Sequence, residues 1–527
     1  MAKLTDLPTE LVNRIIQHVL VLAQPPSRRP PPNPDDRHHL LDHTQINCAA
    51  KPKPRPHLER TANSRSTARA GVNIPYRPPT SLKVSWPEGL PKNPLVPLAS
   101  VSRTFCECVQ EYLFKNVALC STWTASLFLE SLTSIPPYED RSFYMRQQID
   151  HQGKQPGVPL PLSPLAQHVR SLQFAWGGPC SLGKGGVSML CEIIESCPLL
   201  ENIAICNLFQ LVCKEPLLKA LASRPHIREF VLLKNSDGER ANFQWRAHEV
   251  VQLFTHWNSL ETVDFRELAG RPADSLNPAA SRSMPTLSNC AIRTMILTNH
   301  NLDELELSNL LKSCRHSMRT LTIANLSYNQ HGNDRRALCR VLQEYTSPNL
   351  ECLMLQSANS GESSSDLTTD DPLTSPGLLD IVFNHPTAMK NLRTLAFIGT
   401  LATGRLFERL PKSLVKLAWE HCDLPPSALL EALKSAGGAE NSLPNLKCCS
   451  VRSRYGWEPE KELAVKTTLD RQGACFHSIL DPKYGSPTWS DAVSEERRAD
   501  EENMREIEPW DCAEMMEDSE EEFTGWE

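Results

Sequence analysis

The residues of this chain that could do chemistry by themselves are its thiols and imidazoles. It has 18 cysteines and 16 histidines among 527 residues, enough for a metal centre or a cysteine nucleophile at the right spacing. The sequence contains Cys106-x-Cys108 and Cys448-Cys449 but no C-x-x-C pair, the spacing that is typical of structural zinc sites. We therefore expect no metal site and no cofactor, and we expect most thiols to be small buried apolar side chains.

Other catalytic motifs are missing as well. The sequence has no G-x-S-x-G elbow, no H-E-x-x-H pair and no G-x-x-x-x-G-K-S/T loop. A glycine cluster at 183–186 lacks the rest of a nucleotide-binding motif, so a tight turn is the better interpretation. The prediction is a protein without catalytic residues of its own.

Charge and proline are unevenly distributed along the chain, which has a net charge of −7. Residues 25–93 hold 14 of the 42 prolines and an excess of Lys and Arg, whereas residues 495–527 carry 15 acids against three arginines. Such segments cannot bury enough apolar surface to offset their ordering entropy, so we expect both to be disordered. The basic segment has few aromatic residues for base stacking, which disfavours nucleic acid as a partner. Its 51–55 cluster could act as a nuclear localisation signal.

No segment looks like a membrane span or a signal peptide. The apolar stretch 11–23 is interrupted by Asn13, Arg14, Gln17 and His18, and it lacks a cleavage site. A chain with this many cysteines and no export signal is expected in a reducing compartment, in the cytoplasm, the nucleus or both.

A strand-sized unit recurs through the middle of the chain. Its pattern is apolar, charged, any, apolar, any, apolar, and copies start 22 to 42 residues apart. The ten copies begin at Val169, Leu200, Ile227, Leu260, Ile292, Met318, Leu350, Leu392, Leu414 and Leu446. Helix-period segments lie between the copies, and prolines such as Pro198 and Pro348 stand where they would end those helices. A strand plus a helix at a period near 30 predicts a solenoid of stacked coils.

The solenoid resembles an irregular leucine-rich-repeat domain. The ninth unit, Leu414-x-x-Leu417-x-Trp419-x-x-Cys422-x-Leu424, matches the pattern L-x-x-L-x-L-x-x-N/C-x-L. The resemblance implies an α/β fold with a curved parallel sheet lining the concave face and helices on the convex side.

Side chains alternate along a strand, so the residue between the two inward apolar positions of each unit should point out from the concave face. The charged second positions of successive units form another column, which we call the charged column. The outward residues and two arginines of the charged column are the candidate substrate-binding residues: Arg293, Ile296, Arg319, Thr322, Met354, Ala396 and Ala418. Two alternatives stay open. The polar stretch 357–371 could cover this face, and the charged column could form only a ladder of ion pairs.

Two shorter segments resemble the halves of an F-box. The first reads Leu7-Pro8-x-Glu10-Leu11-x-x-x-Ile15, and the second reads Leu98-x-x-Val101-Ser102-Arg103-x-Phe105. The family joins these halves by a few residues, whereas residues 25–93 intervene here. They are either a loop insertion, whose closure cost grows only with the logarithm of its length, or an artefact of the gene model.

The F-box resemblance implies binding to a Skp-type adaptor and, through it, to a cullin. By motif position the contact residues would be Leu7, Pro8, Leu11, Ile15, Leu98, Val101 and Phe105. Some of them must instead pack the core of the F-box itself.

The sequence thus predicts a small all-α F-box followed by an α/β leucine-rich-repeat solenoid. The expected segments are a split F-box at 1–24 and 94–120, the insert at 25–93, a connecting helix and linker at 121–164, the solenoid at 165–480 and the acidic tail at 481–527.

The predicted function is that of a substrate-recognition adaptor in a cullin-type ubiquitin ligase, with an unknown protein substrate on the repeats. One alternative is a stand-alone repeat scaffold whose F-box joins no ligase. Another is a repeat-array regulator that uses its basic insert on nucleic acid.

Overall fold

The structure is a computed structural model. It describes residues 7–23, 95–119, 122–134, 163–174, 186–206, 214–233, 245–270, 290–326, 332–357, 377–385, 389–433, 443–453 and 456–480. The predicted insert at 25–93 and the predicted tail at 481–527 lie outside these residues, as do residues 358–371 of the polar stretch.

In the described residues, twelve parallel strands form one sheet, and each strand pairs with its neighbours in sequence from first to last. The strands are β1 (Asn116–Leu119), β2 (Ser171–Phe174), β3 (Asn202–Cys206), β4 (Glu229–Leu233), β5 (Thr262–Arg266), β6 (Thr294–Thr298), β7 (Thr320–Leu326), β8 (Cys352–Ser357), β9 (Thr394–Ile398), β10 (Lys416–Glu420), β11 (Cys448–Ser453) and β12 (Cys475–Leu480). Stacked coils produce this order, because each coil adds one strand beside the previous one. The predicted α/β solenoid is confirmed.

The sheet has two strands more than the ten units found in the sequence. The first, β1, lies in the range assigned to the F-box, although Phe114-Lys115-x-Val117-x-Leu119 fits the repeating unit. The last, β12, departs from the pattern, since Ala474 stands at the charged position and Ser478 at the last apolar one. The array therefore begins before residue 165.

Helices alternate with most of the strands. They are α1 (Thr9–Ala23), α2 (Leu95–Ala99), α3 (Arg103–Lys115), α4 (Thr122–Thr133), α5 (Val187–Ser196), α6 (Lys214–Ala222), α7 (Ala247–Phe254), α8 (Glu304–Ser313), α9 (Gly332–Glu344), α10 (Leu378–Val382), α11 (Leu406–Arg409), α12 (Pro426–Leu433) and α13 (Pro459–Arg471), with a 3-10 turn at Pro164–Gln167. From α4 onwards, apolar faces of these helices and one face of the sheet enclose the main core. None of the described helices has the length and apolar character needed to cross a membrane.

Residues are distributed between the two faces of the sheet as the period-two pattern predicts. Leu321, Leu353 and Leu395 occupy paired positions on β7, β8 and β9, and all three are fully buried in the main core. Met354 and Ala396, one position further along, belong instead to a small separate cluster. A shift of one residue would exchange the two faces, so the register of the strands is the one that the sequence pattern predicts.

Several strands end at a residue in the left-handed region of the backbone. Asn299 after β6 and His421 after β10 have φ of 54° and 53°, and Gly399 after β9 has φ of 91°. At Gly399 a Cβ would lie 2.9 Å from the Cβ of Ser357, so both the conformation and the space favour glycine there. The turn directs the next residues inward, and Cys422 is accordingly buried below the end of β10.

Candidate functional site

The helices α1, α2 and α3 form a second hydrophobic core that is separate from that of the solenoid. Val12 and Ile16 of α1 pack with Leu95 of α2 and with Phe105 and Val109 of α3, and all five are buried. The two F-box-like segments therefore meet in space although residues 25–93 separate them in sequence. We call this group of helices the three-helix cluster.

The start of α3 explains part of the second F-box-like motif. Ser102 is the N-cap of this helix, and its hydroxyl accepts a hydrogen bond from the Phe105 backbone N–H across 3.2 Å. A capped first turn satisfies one of the amide groups that a helix N-terminus leaves without an intrahelical partner. The cap fixes the turn that carries Phe105 into the three-helix cluster.

The predicted adaptor-contact residues fall into three groups by their exposure. Phe105 is fully buried and so packs the core of the cluster itself. Leu11 keeps 43% of its surface exposed, and Pro8 is also exposed. The remaining members are half-buried at the edge of the cluster: Leu7, Ile15, Leu98 and Val101.

The column of outward residues on the concave face is much less accessible than the strand pattern predicts. Exposed fractions are 1% for Met354, 4% for Ala396, 1% for Ala418, 6% for Thr322 and 9% for Ile296. Neighbouring strands hold these side chains side by side at about 4.8 Å. The column lies on the face opposite the main core, as predicted, but it does not form an exposed apolar patch. Its role in substrate binding stays a prediction.

The charged column in front of the strands forms ion pairs between neighbouring coils. Arg228 and Glu261 are 2.7 Å apart, and Arg319 pairs with Glu351. The hydrogen bond from the Arg228 guanidinium to the Glu261 carboxylate raises the pKa of Arg228 further above its already high value. Exposed pairs of this kind contribute about 0.2–1 kcal/mol each. Arg319, one of the candidate substrate-binding residues, therefore already has a carboxylate partner.

Arg293 differs from its neighbours in this column. It is exposed, and it has no ion pair among the residues that the structure describes. Its backbone N–H donates to the carbonyl of Glu261 across 2.8 Å, so its position on the coil is fixed while its guanidinium remains available. This arginine can bind an acidic group of another molecule.

A groove of about 470 Å³ lies along the charged column between β2 and β6, and we call it the rim groove. Its charged and polar lining consists of Arg170, Glu201, His226, Arg228, Asn258, Ser259, Glu261 and Arg293. The repeating unit predicts the arginines and glutamates of this set. It does not predict His226, Asn258 and Ser259, because they lie in turns that precede the unit and carry no periodic signal.

A third exposed feature lies on α4. Trp123 and Leu127 are one helical turn apart and are 70% and 47% exposed. The connecting helix predicted within 121–164 thus carries an exposed apolar pair, and apolar residues four apart on a helix are the sequence signal for it.

These features define a leucine-rich-repeat type α/β solenoid with a three-helix cluster at its first strand. Solenoids expose long surfaces that bind other proteins. No family model and no curated protein matches the sequence. Among solved structures, the leucine-rich repeat-containing protein LegL7 from Legionella pneumophila is similar, with 14% identity over 69% of this chain and 96% of that chain and a TM-score of 0.31. The fold assignment rests on the order and register of the strands.

Proposed function

We propose that this protein is the substrate-recognition adaptor of a cullin-type ubiquitin ligase. In this proposal the three-helix cluster binds a Skp-type adaptor, and the solenoid binds the protein to be modified. The observation that carries the proposal is the packing of the two F-box-like segments into one cluster with apolar residues still exposed at its edge. Ubiquitin transfer itself would be done by other subunits.

The exposed edge of the three-helix cluster has the character of a helix-in-groove interface. Leu11 and Ile15 are one turn apart on α1, and Leu98 and Val101 lie at the end of α2 and just after it. All four are apolar and at least partly accessible. Binding energy in such an interface is concentrated in a few apolar anchors, so a single charged substitution should abolish binding.

The rim groove is the surface that best suits a substrate. It combines three arginines and His226 with two glutamates, and Arg293 has no carboxylate partner in the described part of the chain. A guanidinium binds a carboxylate or phosphate through two parallel hydrogen bonds. We therefore propose that the rim groove takes an acidic or phosphorylated segment of the substrate.

Co-purification with a Skp-type adaptor tests the first half of the proposal. The wild type should retain the adaptor, and Leu11→Asp should lose it, as should the double variant Leu7→Ala/Pro8→Ala. The matched control is Leu305→Asp on α8, since Leu305 is 59% exposed but lies on the solenoid; it should bind the adaptor normally. If the wild type does not retain the adaptor, the protein is a stand-alone scaffold instead.

The second half of the proposal is that the rim groove binds the substrate. It is tested by comparing the cellular proteins captured by the wild type and by two charge-reversal variants. Arg293→Glu should lose the substrate while keeping the adaptor. Arg393→Glu is the control, because Arg393 is an exposed arginine of the same column outside the rim groove. Identical captured proteins for the wild type and Arg293→Glu would contradict the assignment of the groove. Met354→Asp would not serve here, because at 1% exposure it would bury a charge and destabilise the fold.

A further inference from the structure

The concave face of the last two described strands brings together three side chains of types that can ligate a metal. Cys448 of β11 lies directly opposite Cys475 of β12, and Ser450 lies opposite His477. The intervening residue Cys449 points the other way, into the main core. The alternation along each strand therefore places Cys448, Cys475 and His477 on one face, and their ligand atoms all lie within 4.8 Å of one another.

From this arrangement we infer that Cys448, Cys475 and His477 form a zinc-binding site. Two thiolates and one imidazole are ligands that zinc prefers over oxygen-seeking ions such as magnesium and calcium. In a tetrahedral site with Zn–S of about 2.3 Å and Zn–N of about 2.0 Å, the ligand atoms stand about 3.5–3.8 Å apart. A small rotation of the side chains reaches this separation, and a water completes the fourth position.

The proton balance of binding is simple. Each thiol releases its proton to solvent as its sulfur binds the ion, and the imidazole binds in its neutral form. The Cys475 thiol now donates its proton in a hydrogen bond to the Lys447 carbonyl, with a sulfur–oxygen distance of 3.3 Å. This proton is one of the two that are released. Two thiolates neutralise the charge of the ion.

The site lies on the last two described strands, where a bound ion would stabilise the end of the sheet. The strand β12 pairs only with β11 in the described sheet, and a terminal coil of a solenoid has a neighbour on one side only. Cys448 is buried, whereas Cys475 and His477 are half-buried, so the ion has access from solvent. Binding to the folded state alone would stabilise this end of the sheet.

The test uses the full-length protein with its thiols reduced. Zinc affinity is measured by competition with a chromophoric chelator, and coordination is followed by the visible absorption of the cobalt(II)-substituted protein. The wild type should bind zinc at this site with at least about 100-fold higher affinity than His477→Gln or Cys475→Ser, because loss of a direct ligand costs at least as much as loss of an outer-shell partner. Its cobalt spectrum should show tetrahedral and thiolate-to-metal bands that both variants lack.

The control is Cys290→Ser. Cys290 is also a half-buried thiol, and it contacts Cys314 at 3.8 Å between sulfur atoms, away from β11 and β12. This variant should bind zinc like the wild type. His477→Gln keeps a neutral polar side chain on the last strand, so it remains informative if Cys475→Ser unfolds, which circular dichroism checks. Equal zinc affinity in the wild type and His477→Gln would overturn the inference, as would a Cys448–Cys475 disulfide in protein purified under reductant.

Discussion

Gln17 and Tyr112 are joined by a hydrogen bond in which the Gln17 amide nitrogen donates to the Tyr112 hydroxyl across 3.0 Å, although 95 positions separate them in the sequence. The bond lies at the exposed surface of the three-helix cluster. Beneath it, Ile16 of α1 belongs to the same buried core as Phe105 and Val109 of α3. The hydrogen bond therefore lies at the surface, above a buried apolar contact that joins two segments distant in sequence.

Truncation of the apolar contact should cost far more than removal of the hydrogen bond. Ile16→Ala should destabilise the packing of α1 by about 2–5 kcal/mol, whereas Gln17→Ala should cost at most about 1 kcal/mol because the bond is exposed to water. Hydrogen exchange of the α1 amides reports the difference. Equal exchange in both variants would mean that α1 is not held by this core.

Register along the solenoid can be tested at two neighbouring coils. Leu353→Ala removes a fully buried side chain from the main core and should cost about 2–5 kcal/mol. Thr322→Ala changes a residue on the opposite face and should cost much less. Urea denaturation of the two variants gives both values, and a similar loss for both would indicate that the assigned faces are wrong.

His300 should make stability depend on pH. Burial lowers the pKa of His300 to about 4, and the Leu302 N–H donates to its Nδ1 at 3.4 Å, which requires the neutral ring. The unfolded chain binds this proton near pH 6.5. Stability should therefore be complete above about pH 6.5 and fall as the pH drops towards 4, by at most about 3 kcal/mol from this group.

His300→Gln isolates that contribution, because the variant lacks the titrating ring. The difference in urea midpoint between pH 7.5 and pH 5 should be smaller in the variant than in the wild type. An unchanged difference would show that the acid sensitivity comes from other groups.

The described thiols should differ in reactivity towards iodoacetamide at pH 8. Burial raises the pKa of Cys352 and that of Cys422 to about 12, so almost no thiolate is present on either. The Cys314 thiol donates a hydrogen bond to the Cys290 sulfur, which lowers the pKa of Cys290. Since the thiolate is the reactive form, mass spectrometry should find Cys290 labelled before Cys352 and Cys422. In urea the three thiols should be labelled at similar rates. Similar rates in the folded protein as well would contradict the burial pattern.

The sequence by itself determined the solenoid, because the pattern of a strand is local. A pair such as Leu353 and Leu355 points to one face and Met354 to the other whatever the rest of the chain does, and ten repetitions leave few folds that bury all the inward residues at once. Even β1 was present as the pattern Phe114-Lys115-x-Val117-x-Leu119, although its overlap with the F-box-like motif concealed it.

Only the tertiary structure decided which of these residues are accessible and which meet. Leu11 and Phe105 are both apolar members of the F-box-like motif, yet one is 43% exposed and the other fully buried, because burial depends on where the partner helix packs. Similarly, Cys448 and His477 lie in different coils, and their approach follows from the pairing of β11 with β12. Spacing along a chain reports neighbours on the same element, whereas contacts between elements depend on the register in which those elements pair.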